Sequence, residues 1–378
     1  MRLLYVFPEP LPLPRARGIQ VAHTVAALAR ADISVHLAYV PSADNADPLA
    51  AYGVERPEAV ALVPLSRGLP APFSRLPLRS NRLFFRRLSD WMEQESGHGH
   101  RPALIMARHL KIAHALLDRF PDIPLLYEAH EVFAEVAPPA KRESLARIEE
   151  SVLRRAQALV AITHGVAADL KKRYRLDREI HVLPDAVSWP AQIPEKPWHE
   201  AGRHIIYAGS FFPWKGVQDL VAAAEGLPGC RITLIGGSPE RIREYQRLVP
   251  AHGAEVVFAG HVPHPQSLQA LGLACIAVLP NRAEPNSLWS SPLKLFEYMA
   301  AGCAVVAADL PSVRETLAHD EAIWVPPGDP RALAGGIRRL ADDSALAQQL
   351  GERVRERARA FTWEARAARL AAIMRAAV

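Results

Sequence analysis

Short apolar runs alternate with helical stretches along most of this chain, and no other feature restricts its fold as much. Residues 3–7, 33–40, 60–65, 103–107, 125–128 and 158–162 read as buried strands, and helices are predicted near 18–30, 109–120, 140–156 and 164–174. Strands separated by helices cannot pair as hairpins, so they must lie parallel in one sheet with helices on its faces. A second series starts at His204, with strands at 205–209, 231–236, 256–260, 275–279, 304–307 and 322–325. Between the two, residues 189–202 are rich in Pro, Glu and Lys with little periodicity, as in an interdomain linker. A chain of 378 residues is too long for one ordinary core and divides into domains of roughly 190 residues. The reading is an α/β protein with two doubly wound domains, residues 1–188 and 204–360, a linker at 189–203 and a last helix in 361–378. In such sheets ligands bind beyond the carboxyl ends of the strands.

Composition narrows the class further. With 49% hydrophobic and 22% charged residues the chain is globular. No run of about 18 uncharged apolar residues occurs, so no membrane-spanning helix is expected. The apolar start at 3–7 is too short for a signal-peptide core, and a cytosolic protein is expected. Cys230, Cys275 and Cys303 show neither C-x-x-C nor ligand spacing and read as reduced and structural. A formal charge of +5 favours anionic partners without choosing among them.

The most informative stretch is SSPLKLFEYMAAGCAVVA, residues 290–307. Ser291 is a good N-cap, Pro292 suits a first turn, and Gly302 stands where a left-handed residue would end the helix, so a helix is predicted over 292–301. Leu295, Phe296 and Met299 form an apolar side, while Lys294 and Glu297, three apart, share another. Unpaired N–H groups and the positive dipole at such a helix start suit a phosphate, and Lys294 adds a charge there. Glu297, one turn deeper, can accept hydrogen bonds from a sugar or ribose diol. An ordinary surface Lys–Glu pair is the plainer reading of the same residues.

This stretch resembles the nucleotide-sugar signature of retaining glycosyltransferases of the GT-B fold, family 4 (group 1), in the subset reading S-P-x-K-x-F-E-Y-M-A-x-G. Most of that family has two glutamates flanking seven residues; Glu297 matches the second, and Trp289 stands where the first would be. The resemblance implies two Rossmann-like domains facing a cleft, with the last helix crossing back onto the first. GSFFPWKG resembles the family's G-x-L-x-x-x-K-G segment, so Lys215 is expected at the donor diphosphate, although Ser210 replaces a frequent arginine. LYEAHEV resembles the E-x-H-[DE] step, which implies that His130 orients the donor sugar. Gly18 matches a glycine of the first loop, near the diphosphate and acceptor. The implied activity is transfer of a sugar, with retention, from a nucleotide-sugar to a glycan or lipid-linked acceptor. The catalytic set is His130, Lys215 and Glu297, and the donor-binding set is Gly18, Lys215, Ser291, Lys294 and Glu297. No cofactor or essential metal is expected, since no D-x-D sequence stands in a binding context. The same fold houses nucleotide-sugar 2-epimerases, and Trp289 and Ser210 also suit a degenerate, binding-only relative. A nucleic-acid partner is not expected, because no recognised motif supports one.

One segment stands apart. Between Arg67 and Arg87 six arginines (Arg67, Arg75, Arg79, Arg82, Arg86, Arg87) mix with Leu and Phe without one acid. This basic, apolar surface suits an anionic membrane, an anionic soluble acceptor or plain coverage of the domain by arginine stems.

Overall fold

A computed structural model of the protein describes residues 1–13, 15–42, 46–68, 80–190, 194, 196, 198 and 203–378. The chain forms two compact units: Met1–Pro184 together with Trp363–Val378, and Asp185–Thr362. The first division falls before residue 188 because the segment after Pro184 is already tied to the second unit. The Asp185 N–H donates to the Ser291 hydroxyl at 2.8 Å, and the Val187 N–H to the Phe361 carbonyl at 2.9 Å.

The first unit holds strands β1 (Arg2–Leu11), β2 (Ser34–Pro41), β3 (Val60–Pro64), β4 (Leu104–Ala107), β5 (Leu125–Ala129), β6 (Ala158–Ala161) and β7 (His181–Val182). They form one sheet in the order β3-β2-β1-β4-β5-β6-β7, every pair parallel. β1 runs past the expected end at Phe7, through Pro8 and Pro10, to Leu11. It can do so because β4 pairs only with Leu3–Val6. Beyond that point β1 has β2 alone as neighbour, with a register shift between Phe7 and Pro10, and a proline's missing N–H costs little at such an edge or bulge. The helices Ala16–Arg30, Asn81–Gly97, Leu110–Arg119, Pro139–Arg155 and His164–Tyr174 connect the strands. The Trp363–Ala376 helix completes this unit: Trp363 stacks on His23 at 5.4 Å, and Arg369 donates to the Val182 carbonyl at 3.0 Å.

The second unit repeats the plan with β8 (His204–Ala208), β9 (Arg231–Ile235), β10 (Glu255–Gly260), β11 (Ile276–Leu279), β12 (Ala304–Ala308) and β13 (Ile323–Val325), in the order β10-β9-β8-β11-β12-β13. Two apolar layers, one on each sheet face, hold the helices. The stretch expected as a linker is part of this unit where it is described. Lys196 is buried, and its ammonium donates to the carbonyls of Leu271 (3.0 Å), Gly272 (3.2 Å) and Ala274 at the C-terminal end of the His264–Leu273 helix. That end carries the negative pole of the helix and unpaired carbonyls, so a buried cation is well matched there. Trp198 packs against the same unit's core.

Of the arginine-rich segment, Arg75 and Arg79 lie outside the described residues. Arg82 and Arg86 are exposed on the Asn81–Gly97 helix, while Arg87 turns back to the Ser66 carbonyl. Among the described residues no helix is long and apolar enough to cross a membrane. The three cysteines are free and buried.

Candidate active site

The informative stretch folds as the Leu293–Ala300 helix, shorter by one residue at each end than predicted, followed by β12. Ser291 does not cap it: the Ser291 hydroxyl accepts from the Asp185 N–H, and Pro292 occupies the capping position without a side-chain bond. The C-terminal end follows expectation. Gly302 is left-handed (φ 67°), its N–H reaches the Met299 carbonyl at 2.9 Å, and the Cys303 N–H reaches Tyr298 at 3.0 Å, the paired bonds of a Schellman motif. All eight helical residues are buried, so Lys294 and Glu297 do not lie on a solvated face. The plain surface-pair reading is therefore excluded.

Burial makes the Lys294 side chain chemically unusual. The Lys294 ammonium sits 3.7 Å above the Tyr207 ring and has no hydrogen-bond partner among the described residues. Burial, reinforced by the nearby charge of Lys215 and opposed by Glu297, pushes it well below the ordinary lysine range. Lys215 lies in the turn Pro213–Lys215 after β8, with its ammonium 3.7 Å over the Trp214 ring. Burial pushes this group down to about 7. Glu297 accepts from Nε2 of His264, the first residue of the His264–Leu273 helix, at 2.7 Å. Two cations that repel each other and have no hydrogen-bonding anion among the described residues, beside a carboxylate with acceptor capacity to spare, suit a ligand carrying both phosphate and hydroxyls.

The loops that carry these groups are locked together. Gly216 follows Lys215 at φ 68°, and a Cβ there would overlap the Pro280 carbonyl, so the lysine turn can lie against the end of β11 only with glycine at this position. Arg282, just beyond β11, binds Asp219 through two bonds of 2.8 and 2.6 Å, and its N–H donates to the Trp214 carbonyl at 2.9 Å. The Tyr298 hydroxyl accepts from the Ala208 N–H at 2.8 Å, tying the helix to the end of β8. Ser210 is exposed and offers its carbonyl to Tyr207, and Trp289 is buried just after the Pro285–Leu288 helix.

In the first unit, Gly18 and His130 both fall at the carboxyl edge of the sheet. Gly18 lies inside the Ala16–Arg30 helix, and the space its Cβ would need is filled by the Tyr52 hydroxyl and the Leu13 carbonyl. Its small size is thus required by packing within this unit. His130 directly follows β5; Arg108, directly after β4, donates to its Nδ1 at 3.0 Å and also holds Gln20. Its Nε2 is 3.0 Å from a Glu128 oxygen. Burial, then the neighbouring Arg108 charge, push the His130 ring down to about 4, so it is neutral at neutral pH. Arg108 and His264 were missed in the sequence. Arg108 carried a signal, a cation at a strand's carboxyl end, whereas nothing local marks His264 as the partner of a residue 33 positions away.

Comparison with known proteins agrees with both halves. Residues 18–188 match the Glycosyltransferase Family 4 model, and residues 202–343 match the model for Glycosyl transferases group 1. The chain is 29% identical over 273 residues to D-inositol 3-phosphate glycosyltransferase of Xylanimonas cellulosilytica, a match spanning 65% of each protein. Among solved structures, sucrose-phosphate synthase from Thermosynechococcus elongatus superposes with a TM-score of 0.75 at 21% identity, over 100% of this chain and 98% of that one. HepE of Anabaena, solved in complex with UDP-glucose, gives 0.71 at 16% identity over the whole of both chains. Matched in its two halves by two glycosyltransferase models and built as two parallel-sheet Rossmann-like units, the chain belongs to the group 1 glycosyltransferases of the GT-B fold.

Proposed function

We propose that the protein is a retaining glycosyltransferase that moves a sugar from a nucleotide-sugar to a glycan or lipid-linked acceptor. The observation that carries this reading is the buried Lys294 ammonium, without a hydrogen-bond partner among the described residues, beside Lys215 and Glu297. A glycosyl transition state has oxocarbenium character, and the leaving diphosphate gains negative charge. Lys294, buried, and Lys215, half-buried, both aimed by their aromatic neighbours, stabilise that charge with little reorganisation. Glu297, steadied by His264, accepts the ribose diol. His130 orients the donor sugar, and the departing phosphate takes the acceptor's proton, so no protein base and no metal enter the proposed reaction. The HepE structure with UDP-glucose and the inositol-phosphate acceptor in the relative's name support a nucleotide-sugar donor and a hydroxyl acceptor.

The test is a panel of nucleotide-sugars screened by thermal stabilisation, then assayed for hydrolysis and transfer with and without acceptors. Glu297→Ala is expected to weaken donor binding or transfer by about 1 to 3 kcal/mol, the loss of a charge-assisted hydrogen bond. Unchanged affinity and turnover in both Glu297→Ala and Lys215→Ala would end the assignment. Conversion of the donor to its 2-epimer without an acceptor would instead identify an isomerase, and tight nucleotide binding without turnover a binding-only relative.

Docking on an anionic membrane is proposed for the segment Arg67 to Arg87, of which Arg82 and Arg86 are exposed. Sedimentation with vesicles is expected to require anionic lipid and to fall at high salt. Equal binding to neutral vesicles would defeat it.

A further inference from the structure

Five polar side chains run through the first unit from its last helix to its first. Arg366 of the Trp363–Ala376 helix binds one oxygen of Glu128, and its Nε–H donates to the Pro184 carbonyl at 2.9 Å. The other Glu128 oxygen is 3.0 Å from Nε2 of His130, whose Nδ1 faces Arg108 at 3.0 Å; Arg108 in turn holds Gln20 of the Ala16–Arg30 helix. Glu128 is wholly buried, and Arg366 is 5% exposed.

A guanidinium has only donors, so the His130 nitrogen that faces Arg108 must be the bare one. The ring proton is therefore on Nε2. The Nε2–H is turned toward the Glu128 carboxylate, whose oxygen lies 3.0 Å away. Burial works to protonate Glu128, but the charge of Arg366 and the contact with His130 outweigh it and keep the carboxylate ionised. The partners of both ring nitrogens are thus determined by charge.

We propose that Glu128 and Arg366 are positioning residues of this site: with Arg108 they hold the His130 ring in one orientation and in its Nε2–H tautomer. The last helix thereby takes part in the reaction without touching substrate. This deepens the reading of His130 as the sugar-orienting group and rests on it.

Replacing Glu128 by Gln exposes the logic. With Arg366 claiming the amide oxygen, the NH2 is left toward Nε2 and sets donor against donor, and moving the ring proton to Nδ1 sets it against Arg108. No tautomer then satisfies both neighbours.

The experiment uses the whole chain labelled with 15N-histidine, with His130 assigned through His130→Gln and ring tautomers read from two-bond 1H–15N spectra at pH 7. Wild type is expected to show the Nε2–H pattern, and Glu128→Gln and Arg366→Met to lose it; Arg366→Lys, which keeps a cation, should recover it in part. In transfer assays the same two variants are expected to lower kcat about tenfold with donor KM within about twofold, a split that general destabilisation does not produce. If Glu128→Gln does not fold, the Arg366→Met and Arg366→Lys pair carries the test. An Nδ1–H tautomer in wild type, or an unchanged His130 pattern in the Arg366→Met protein, overturns the proposal. The expected spectra in a protein that transfers no sugar would support the relay and defeat the glycosyl-transfer reading.

Discussion

At the scale of single residues, the donor-site chemistry comes from taking lysines out of water. Lys215 is held near 7 against an ordinary 10.5, by burial. In the window between those values the unfolded chain binds more protons than the folded one, so this residue's contribution to stability rises with pH from about 7 upward. A bound diphosphate favours the charged form and raises the folded value again. Nucleotide binding is therefore expected to take up protons at pH 8 and to weaken as pH rises above about 7. Calorimetry in two buffers of different ionisation enthalpy measures that uptake, and Lys215→Met should shrink it. Proton uptake that is zero in the wild type, or identical in the variant, would show that Lys215 does not meet the anion. His264 acts in the same economical way, its bond to Glu297 leaving the carboxylate's other oxygen available.

At the scale of elements, strand ends and helix starts are brought together by glycines and prolines whose reasons are steric. Gly216 is the clearest, with a left-handed backbone and the Pro280 carbonyl where a Cβ would stand. Gly216→Ala is expected to cost about 1 to 3 kcal/mol, the range for strained backbone, and to weaken donor binding because Lys215 is the preceding residue. Gly335, exposed within the Pro330–Asp342 helix and with nothing near its missing Cβ, is the control. Gly335→Ala should stabilise the chain by roughly 0.4 to 1 kcal/mol. Thermal melts of the two variants decide this. A neutral Gly216→Ala would mean that the turn tolerates another path.

At the scale of the whole molecule, chain order and unit membership part company, since the last helix belongs with the first unit. Leu370 is completely buried in that helix, and Leu370→Ala should cost about 2 to 5 kcal/mol through the cavity it leaves. Hydrogen exchange should show faster opening of β1 to β6, while β8 to β12 keep their protection. The reverse pattern would place the last helix with the second unit.

Much of this was legible in the sequence because it rests on local periodicity and turn chemistry. Strand–helix alternation is enough to require parallel sheets, and Gly302 marks the end of its helix because only a left-handed residue closes that turn. Lys215, Lys294, Glu297 and His130 could be singled out because they match motifs of a family the chain resembles, and Lys215, Lys294 and His130 also stand at the carboxyl side of a strand, where a doubly wound sheet gathers its ligands. What the sequence could not contain is which partner each polar group meets. Ser291 has every local property of a cap, yet the Asp185 backbone claims its hydroxyl across 106 residues. Lys196 reads as part of a polar linker until the end of a helix supplies three carbonyls for its charge. Glu128 and Arg366 stand 238 residues apart and meet only because the last helix packs on the first unit. Local energetics select the elements, whereas pairing of buried charges depends on where packing puts them, and that was decided by the tertiary structure alone.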